Sequence, residues 1–221
     1  SVNFRGLYYF NDNGSLENTS DDIWGNLSPN NFFNGQDVTA LTLDKRGEIW
    51  VGTTMGMYII QDPSRPQSPT TQIFSLRLQS INCIAVDAVN QKWVGTSQGV
   101  FLMSSDGTLI IRQYDSKSSP LANDNIISIT IDNQTGIVYM GTEFGLSSLQ
   151  TEFIEPKQSF DELFVYPNPF IPGSTSDLLT IDGLIEDSLI KILTINGKLV
   201  SEFASPGGRI AFWDGKNLEG N

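Results

Sequence analysis

The chain has 221 residues, with 13 Lys plus Arg against 25 Asp plus Glu, a formal net charge of −12, one cysteine and no histidine. Without histidine there is no Ser-His-Asp or Cys-His catalysis, no imidazole base and no His-ligated zinc within these residues. The lone Cys83 leaves no internal disulfide and no paired-cysteine metal or redox site.

The acid excess is spread along the chain: residues 1–155 hold 8 basic and 16 acidic side chains, and residues 156–221 hold 5 and 9. That distribution counts against nucleic-acid binding, which needs a basic stripe to displace counterions from phosphates. Hydrophobic residues make up 39% of the chain, enough apolar material for a packed core. No apolar run approaches the length of a membrane span, and the opening Ser1-Val2-Asn3-Phe4-Arg5 is not a signal peptide. The expectation is either an export signal already removed or a chain that begins partway through a longer protein.

In chain order, Gly6 to Gly14 comes first and matches the later Gly56 to Asp62, without the strand that precedes it there. It reads as the end of a repeat unit whose beginning lies upstream. Three fuller copies of one phrase follow. The first runs from Val38 through Asp44 and Trp50 to Gly52, Thr53, Gly56 and Tyr58. The second runs from Ile81 through Asp87 and Trp93 to Gly95, Thr96, Gly99 and Phe101. The third runs from Ile126 through Asp132 and Tyr139 to Gly141, Thr142 and Gly145. Asp44 to Asp87 spans 43 residues and Asp87 to Asp132 spans 45. Apolar residues alternate with small or polar ones, β-branched and aromatic types dominate, and Asp, Gly and Asn turns recur. The apolar stretches from Gln72 to Leu76 and from Leu109 to Tyr114 supply a fourth strand after the first and second copies. Four antiparallel strands in such a period describe a propeller blade. Trp50, Trp93 and Tyr139 are expected to fill the wedge between blades, and the glycines to permit close packing.

The Asp-x-x-Gly-x-x-Trp-Val-Gly-Thr-x-x-Gly phrase resembles the two-component regulator propeller repeat over residues 37 to 149. The second copy has Asn90-Gln91 where the turn glycine stands, and the third has an extra residue and Tyr139 for Trp. The resemblance implies the last part of a larger ring, and residues 1–155 alone are expected to be insoluble or molten because an open arc exposes strand edges and an inter-blade face.

After a polar linker over 153–162, a different pattern begins. Strands are expected near Leu163, over Leu178–Ile181, Leu189–Ile195, Lys198–Phe203 and Arg209–Trp213, with Asn196-Gly197 as a two-residue hairpin. No helix signal intervenes, which suggests an immunoglobulin-like sandwich. The phrases Tyr166-Pro167-Asn168-Pro169-Phe170, Ile192 to Val200 and Trp213 to Lys216 resemble the C-terminal domain of proteins exported by the type IX secretion system of Bacteroidetes, and the related immunoglobulin-like part of flagellar hook-capping proteins. Members usually continue past the Trp-Asp-Gly turn with a closing strand, so the end of this domain is expected to lie outside the sequence. Pro167 and Pro169 flanking Asn168 are expected to fix an extended entry to it.

The expected fold class is therefore all-β: part of a β-propeller, about three and a half four-stranded blades over 1–152, then an immunoglobulin-like sandwich over 163–221. The candidate ligand or partner rim is the pair inside each Gly-Thr-x-x-Gly turn, Thr54-Met55, Ser97-Gln98 and Glu143-Phe144, since propellers commonly bind through loops at one end of the ring. Solvated turn residues are the plainer reading of each. Asp12-Asn13-Gly14 and Asp132 to Gly136 lack calcium-loop spacing, and the adjacent carboxylates Asp21-Asp22 and Asp161-Glu162 point to opposite faces of an extended chain rather than to one bond. No cofactor, metal or catalytic residue is expected.

The combined resemblance implies a non-enzymatic exported protein at the outer-membrane surface, or in the periplasm as second choice. There it would act as a binding or scaffold component in type IX secretion and cargo anchoring. Its implied partners are the secretion and attachment machinery or a surface glycan such as anionic lipopolysaccharide, together with the rest of the propeller. The alternatives are an oligosaccharide-sensing region of a hybrid two-component system, or an accessory part of an exported enzyme whose catalytic domain lies upstream.

Overall fold

A computed structural model describes residues 6–15, 17–160, 162–171, 178–205 and 208–220. Strands β1 (Leu7–Asn11) and β2 (Ile23–Leu27) pair antiparallel as the first sheet. A short helix, α1 (Pro29–Phe32), follows, with Pro29 in its first turn, where the missing N–H is not needed.

The next sheet takes β3 (Val38–Leu43), β4 (Ile49–Thr53), β5 (Gly56–Ile60) and β6 (Thr71–Ile73) in sequence order, antiparallel throughout. A second four-stranded antiparallel sheet follows with β7 (Ile81–Val86), β8 (Lys92–Thr96), β9 (Gly99–Met103) and β10 (Ile110–Tyr114). Then come β11 (Ile126–Asp132), β12 (Ile137–Thr142) and β13 (Gly145–Gln150) in one sheet. These are the expected blades, opened by the outer two strands of another. The third copy holds three strands among the described residues, one fewer than a full blade.

The middle strands β5, β8 and β9 are buried at every position, which is why they read as continuous apolar runs. Between the first and second four-stranded sheets the core contains Trp50, Met57, Ile73, Leu76, Ile81 and Phe101. Leu27 and Phe33 pack with Val51, Tyr58 and Ile60 in a neighbouring cluster. The segment from Gln72 to Leu76 is not one strand as expected: it leaves β6 at Ile73 and turns through a 3-10 helix, Phe74–Leu76. Ile73 and Leu76 are both buried, and a spacing of three cannot put both on one face of a strand but suits a 3-10 turn.

The chain divides into two compact units: Ser1–Val86, Gln91–Thr130 and Tyr139–Ser148 in the first, and Asp87–Asn90, Ile131–Val138 and Leu149–Asn221 in the second. Within the second, β14 (Phe164–Tyr166), β15 (Leu179–Asp182) and β18 (Ile210–Trp213) form one antiparallel sheet. The intervening β16 (Leu189–Leu193) and β17 (Leu199–Ala204) form another. Ile181, Leu184, Ile190 and Ala211 pack between the two sheets with Ile192 and Phe203 beside them. Arg209 clamps Asp182 with two hydrogen bonds across β15 and β18.

Two local expectations change here. The β16–β17 connection is a three-residue turn: Thr194 N donates to Lys198 O at 2.9 Å and Gly197 N to Thr194 O at 2.8 Å. Only Gly197 in this turn has positive φ, at 79°, whereas the two-residue turn needs it at both central positions. The extended entry also stops at Tyr166, and Pro167 to Pro169 form a bend. Prolines cannot donate to a ladder, so β14 ends where they begin; both X–Pro bonds are cis. Tyr166, Pro167, Asn168 and Pro169 are exposed, and Phe170 packs on Trp213 with ring centroids 5.8 Å apart.

Candidate functional site

Each Gly-Thr-x-x-Gly turn is built the same way. The Thr53 hydroxyl donates to Gly56 O at 2.8 Å and accepts from Met55 N at 3.2 Å. Thr96 does so with Gly99 O and Gln98 N, both at 2.9 Å, and Thr142 with Gly145 O and Phe144 N at 2.9 and 3.2 Å. The glycines sit at φ 101°, 102° and 142°, a region that penalises a Cβ. The motif thus ties the turn internally and leaves its two variable residues pointing to water: Thr54, Met55, Ser97, Gln98, Glu143 and Phe144 are all exposed, Phe144 at 75%.

Their contacts stay close to their own turns. Thr54 Oγ1 donates to Gln36 Oε1 at 3.0 Å, and Gln79 Nε2 donates to Gln98 Oε1 at 3.2 Å. Among the described residues no hydrogen bond or ring contact joins one of these pairs to another. Two cavities lie elsewhere: one of about 840 Å³ is lined by Tyr9, Phe10, Ile23, Arg65 and Gln67, and one of about 430 Å³ by Arg46, Glu48, Gln72, Phe74 and Asp106. Neither is lined by the six rim residues.

The glycines before the threonines set the spacing of the inner strands. A Cβ on Gly52 would come within 2.6 Å of Ile81, and one on Gly95 within 2.7 Å of Ile126 and also against Cys83 Sγ. One on Gly141 would meet Ser128 Oγ at 2.6 Å. Polar side chains reinforce the approach: Thr39 Oγ1 donates to Ile81 O, and Asn82 Nδ2 to Ile126 O at 2.8 Å. The equivalent residue of the third copy is Ile127, which is exposed.

At the other end, the repeated aspartates organise turns. Asp44 Oδ1 accepts from Arg46 N and Glu48 N at 2.9 and 3.0 Å. Asp87 Oδ1 accepts from Val89 N at 3.0 Å, and Asp132 takes Gln134 N at 3.0 Å and the Thr135 hydroxyl at 2.7 Å. The Thr135 hydroxyl and that amide hold the Asp132 carboxyl below the ordinary carboxylate range. Gly47, Asn90 and Gly136 take the left-handed position of the three turns, at φ 79°, 64° and 73°. Asn is the residue after Gly that best tolerates it, so Asn90 replaces the glycine without changing the turn.

One buried group escaped the sequence reading. Lys92 is completely buried; its Nζ donates to Asp44 Oδ2 at 2.9 Å and Ser105 O at 2.6 Å, and lies 4.4 Å from the Trp50 ring centroid. Trp50 Nε1 also donates to Asp44 Oδ2, at 3.3 Å. Burial pushes the Lys92 ammonium below its ordinary pKa, and the Asp44 carboxylate works against that. The signal was present: Ile49 and Val138 stand at the same place in the other copies, so a lysine on that strand requires a buried counter-charge. Trp50 thereby packs with residues of both four-stranded sheets; Trp93 is also fully buried and stacks on Tyr114 at 5.7 Å, and Tyr139 is half-buried.

Asp12 and Asp21 serve local turns: Asp12 Oδ1 accepts from Gly14 N at 3.0 Å, and Asp21 accepts from the Ser15 hydroxyl at 3.1 Å. Asp161 lies outside the described residues. Among the described residues no group of three or more acidic or cysteine side chains converges as a metal site, and no helix is long and apolar enough to cross a membrane.

Comparison with known proteins places these features. The profile of the family described as Two component regulator propeller matches residues 33–55. No curated protein matches the chain. Among solved structures the chain is similar to PorZ, described as an essential bacterial surface component of the type-IX secretion system of Porphyromonas gingivalis, with 28% identity and a TM-score of 0.64 over 98% of this chain and 31% of that one. It is also similar to the extracellular domain of a one component system of B. thetaiotaomicron (21% identity, TM-score 0.45, 77% of this chain and 23% of that one). A third is the extracellular domain assigned to a hybrid two component system of the same organism (16%, 0.48, 86% and 35%). The chain spans under a third of the PorZ chain it resembles. Its sheets are β-propeller blades, followed by a small module of two packed sheets.

Proposed function

We propose that this chain belongs to an exported, non-enzymatic protein that acts as a binding or scaffold component of type IX secretion at the cell surface. The observation that carries the reading is the likeness to PorZ, which runs through 98% of the chain and so includes both the blades and the C-terminal module. On this reading the module over 163–221 is an immunoglobulin-like type IX C-terminal domain, seated by the Tyr166 to Phe170 phrase. The propeller supplies a rim for a secretion-machinery partner or a surface glycan.

For an anionic lipopolysaccharide the binding residues must be cationic, and the chain is acidic. Six of its cations, Arg46, Arg65, Lys92, Lys191, Arg209 and Lys216, are already ion-paired. Recognition of such a glycan therefore draws on other parts of the full protein as well. The second reading, a sensor region of a two-component system, has the family match over 33–55 in its favour.

Deletion of the gene, followed by fractionation of the cells, tests the first reading. Type IX cargo should fail to become anchored at the surface, and complementation should restore it. Normal cargo anchoring in the deletion strain overturns the reading and favours the sensor.

A further inference from the structure

The cleft of about 430 Å³ is lined from both four-stranded sheets and lies within the first compact unit. Its volume falls in the range of small-molecule sites, roughly 300–1,000 Å³. The first sheet contributes Arg46 and Glu48 from the β3–β4 turn, Gln61 just after β5, and Thr71 from β6. The 3-10 turn adds Phe74 and Ser75, and the β9–β10 turn of the second sheet adds Asp106, Gly107 and Thr108. Ile59 and Ile73, both buried, complete the apolar part of the lining.

The walls are fastened to one another. The Ser75 hydroxyl donates to Thr108 O at 2.9 Å and lies 3.2 Å from Gly107 O, and Arg46 Nη2 donates to Ser105 O at 2.9 Å. Gly107 is buried at φ 71°, where a Cβ would come within 2.6 Å of the Trp50 ring. The β9–β10 turn is therefore docked on the first sheet before any ligand arrives, and a pre-formed site loses less entropy on binding than one that must be ordered. What the lining leaves uncommitted decides what it can take. Phe74 is 69% exposed although Ile73 and Leu76 on either side of it are buried, so an aromatic ring remains at the cleft. Gln61 and Thr71 are exposed, and among the described residues neither side chain makes a hydrogen bond within the protein. The charged groups are one cation, Arg46, and two anions, Glu48 and Asp106. Arg46 is already paired with Glu48 at 2.9 Å, so an anionic ligand meets net negative charge.

An aromatic surface beside a carboxamide, a hydroxyl and an acceptor-only carboxylate suits a molecule with C–H groups on its face and hydroxyls on its edge. We propose that the cleft is a binding site for a neutral saccharide: a pyranose ring lays its C–H face on Phe74, its hydroxyls donate to Asp106 and the Gln61 carbonyl, and they accept from Gln61 Nε2 and the Thr71 hydroxyl. The ring of Phe74 supplies contact area at little cost in side-chain entropy, and the polar groups fix the orientation. The site is separate from the rim of the Gly-Thr turns and does not depend on the proposed place in secretion.

The test is isothermal titration calorimetry of the full protein that carries this chain with maltose, cellobiose, lactose and N,N′-diacetylchitobiose. At least one should bind saturably with a millimolar or tighter Kd, and added salt should change that Kd less than twofold because a neutral ligand carries no charge to screen. Phe74→Ala should weaken binding at least tenfold, and Gln61→Ala at least fivefold. Both side chains are largely exposed, so the fold is kept. Phe74→Tyr retains the ring and should bind within threefold of the parent, and Leu78→Ala, an exposed side chain outside the lining, should bind within twofold. Absence of saturable binding for all four sugars, or binding unchanged by Phe74→Ala, overturns the proposal. Tighter binding of an acidic heparin disaccharide than of the neutral sugars also overturns it. None of these outcomes bears on cargo anchoring, so failure here and failure of the secretion reading are told apart.

Discussion

Removing either end of the Lys92–Asp44 pair should have very unequal consequences. Asp44→Ala leaves the Lys92 ammonium wholly buried without the Asp44 carboxylate, its hydrogen bond to Ser105 O retained, and releases Trp50 Nε1, Arg46 N and Glu48 N from their shared acceptor. Stranding a buried charge costs about 3–5 kcal/mol. Lys92→Met keeps the volume and takes away the desolvated charge. Asp44 retains Trp50 Nε1 and the two turn amides, and Ser105 O still receives Arg46 Nη2 at 2.9 Å. Because burial outweighs the attraction of Asp44 at Lys92, the change should stay within about 1.5 kcal/mol of neutral. The double variant Asp44→Ala/Lys92→Met still loses the turn and indole hydrogen bonds, about 1–2 kcal/mol, but no longer strands a buried charge and is more stable than Asp44→Ala alone. Urea unfolding of the four proteins, followed by circular dichroism and tryptophan fluorescence, gives the coupling directly. If the double variant is as unstable as Asp44→Ala, the stranded charge is not the source of the cost and the reasoning fails.

The remaining expectations concern other parts of the chain. Simultaneous replacement of Gln98, Glu143 and Phe144 by neutral small residues should weaken association with the secretion-machinery partner without lowering the unfolding midpoint; unchanged association moves the site off this rim. Burial pushes the Cys83 thiol up to about 11, so at pH 8 iodoacetamide should label it at least tenfold more slowly in the native chain than in urea, and equal rates contradict its placement beside Gly95. Asp106, held down to about 2 first by the Ser104 hydroxyl and then by Thr108 N, lies below its unfolded value. Its contribution is therefore complete above the ordinary carboxylate range and is lost as pH falls toward 2. An NMR titration should show Asp106 ionised at pH 3, and a midpoint near 4 refutes the turn.

The blades were legible because one structural demand is written three times. The aspartates, the Gly-Thr pairs and the positive-φ glycines each solve a backbone problem local to a turn, and Asn90 solves the same problem with a different residue. What was not legible depends on packing between sheets. Lys92 looks like a lapse in an apolar strand until Asp44, 48 residues earlier, comes within hydrogen-bonding reach. The 3-10 turn at Phe74–Leu76 follows from the need to bury Leu76 as the chain leaves one sheet for the next, which no period-two pattern encodes. The rim pairs were identified as the variable positions of a fixed frame. The structure presents them to solvent on separate turns, and the cavities lined by Tyr9 and Arg65 and by Arg46 and Asp106 do not include them.

Surface exposure is the most direct test of the proposed function. An epitope-tagged version of the full protein, expressed in its own cells, should be digested by protease added to intact cells while a periplasmic marker survives. Protection of the tag until the outer membrane is broken would contradict an outer-surface binding component and place the blades in the periplasm.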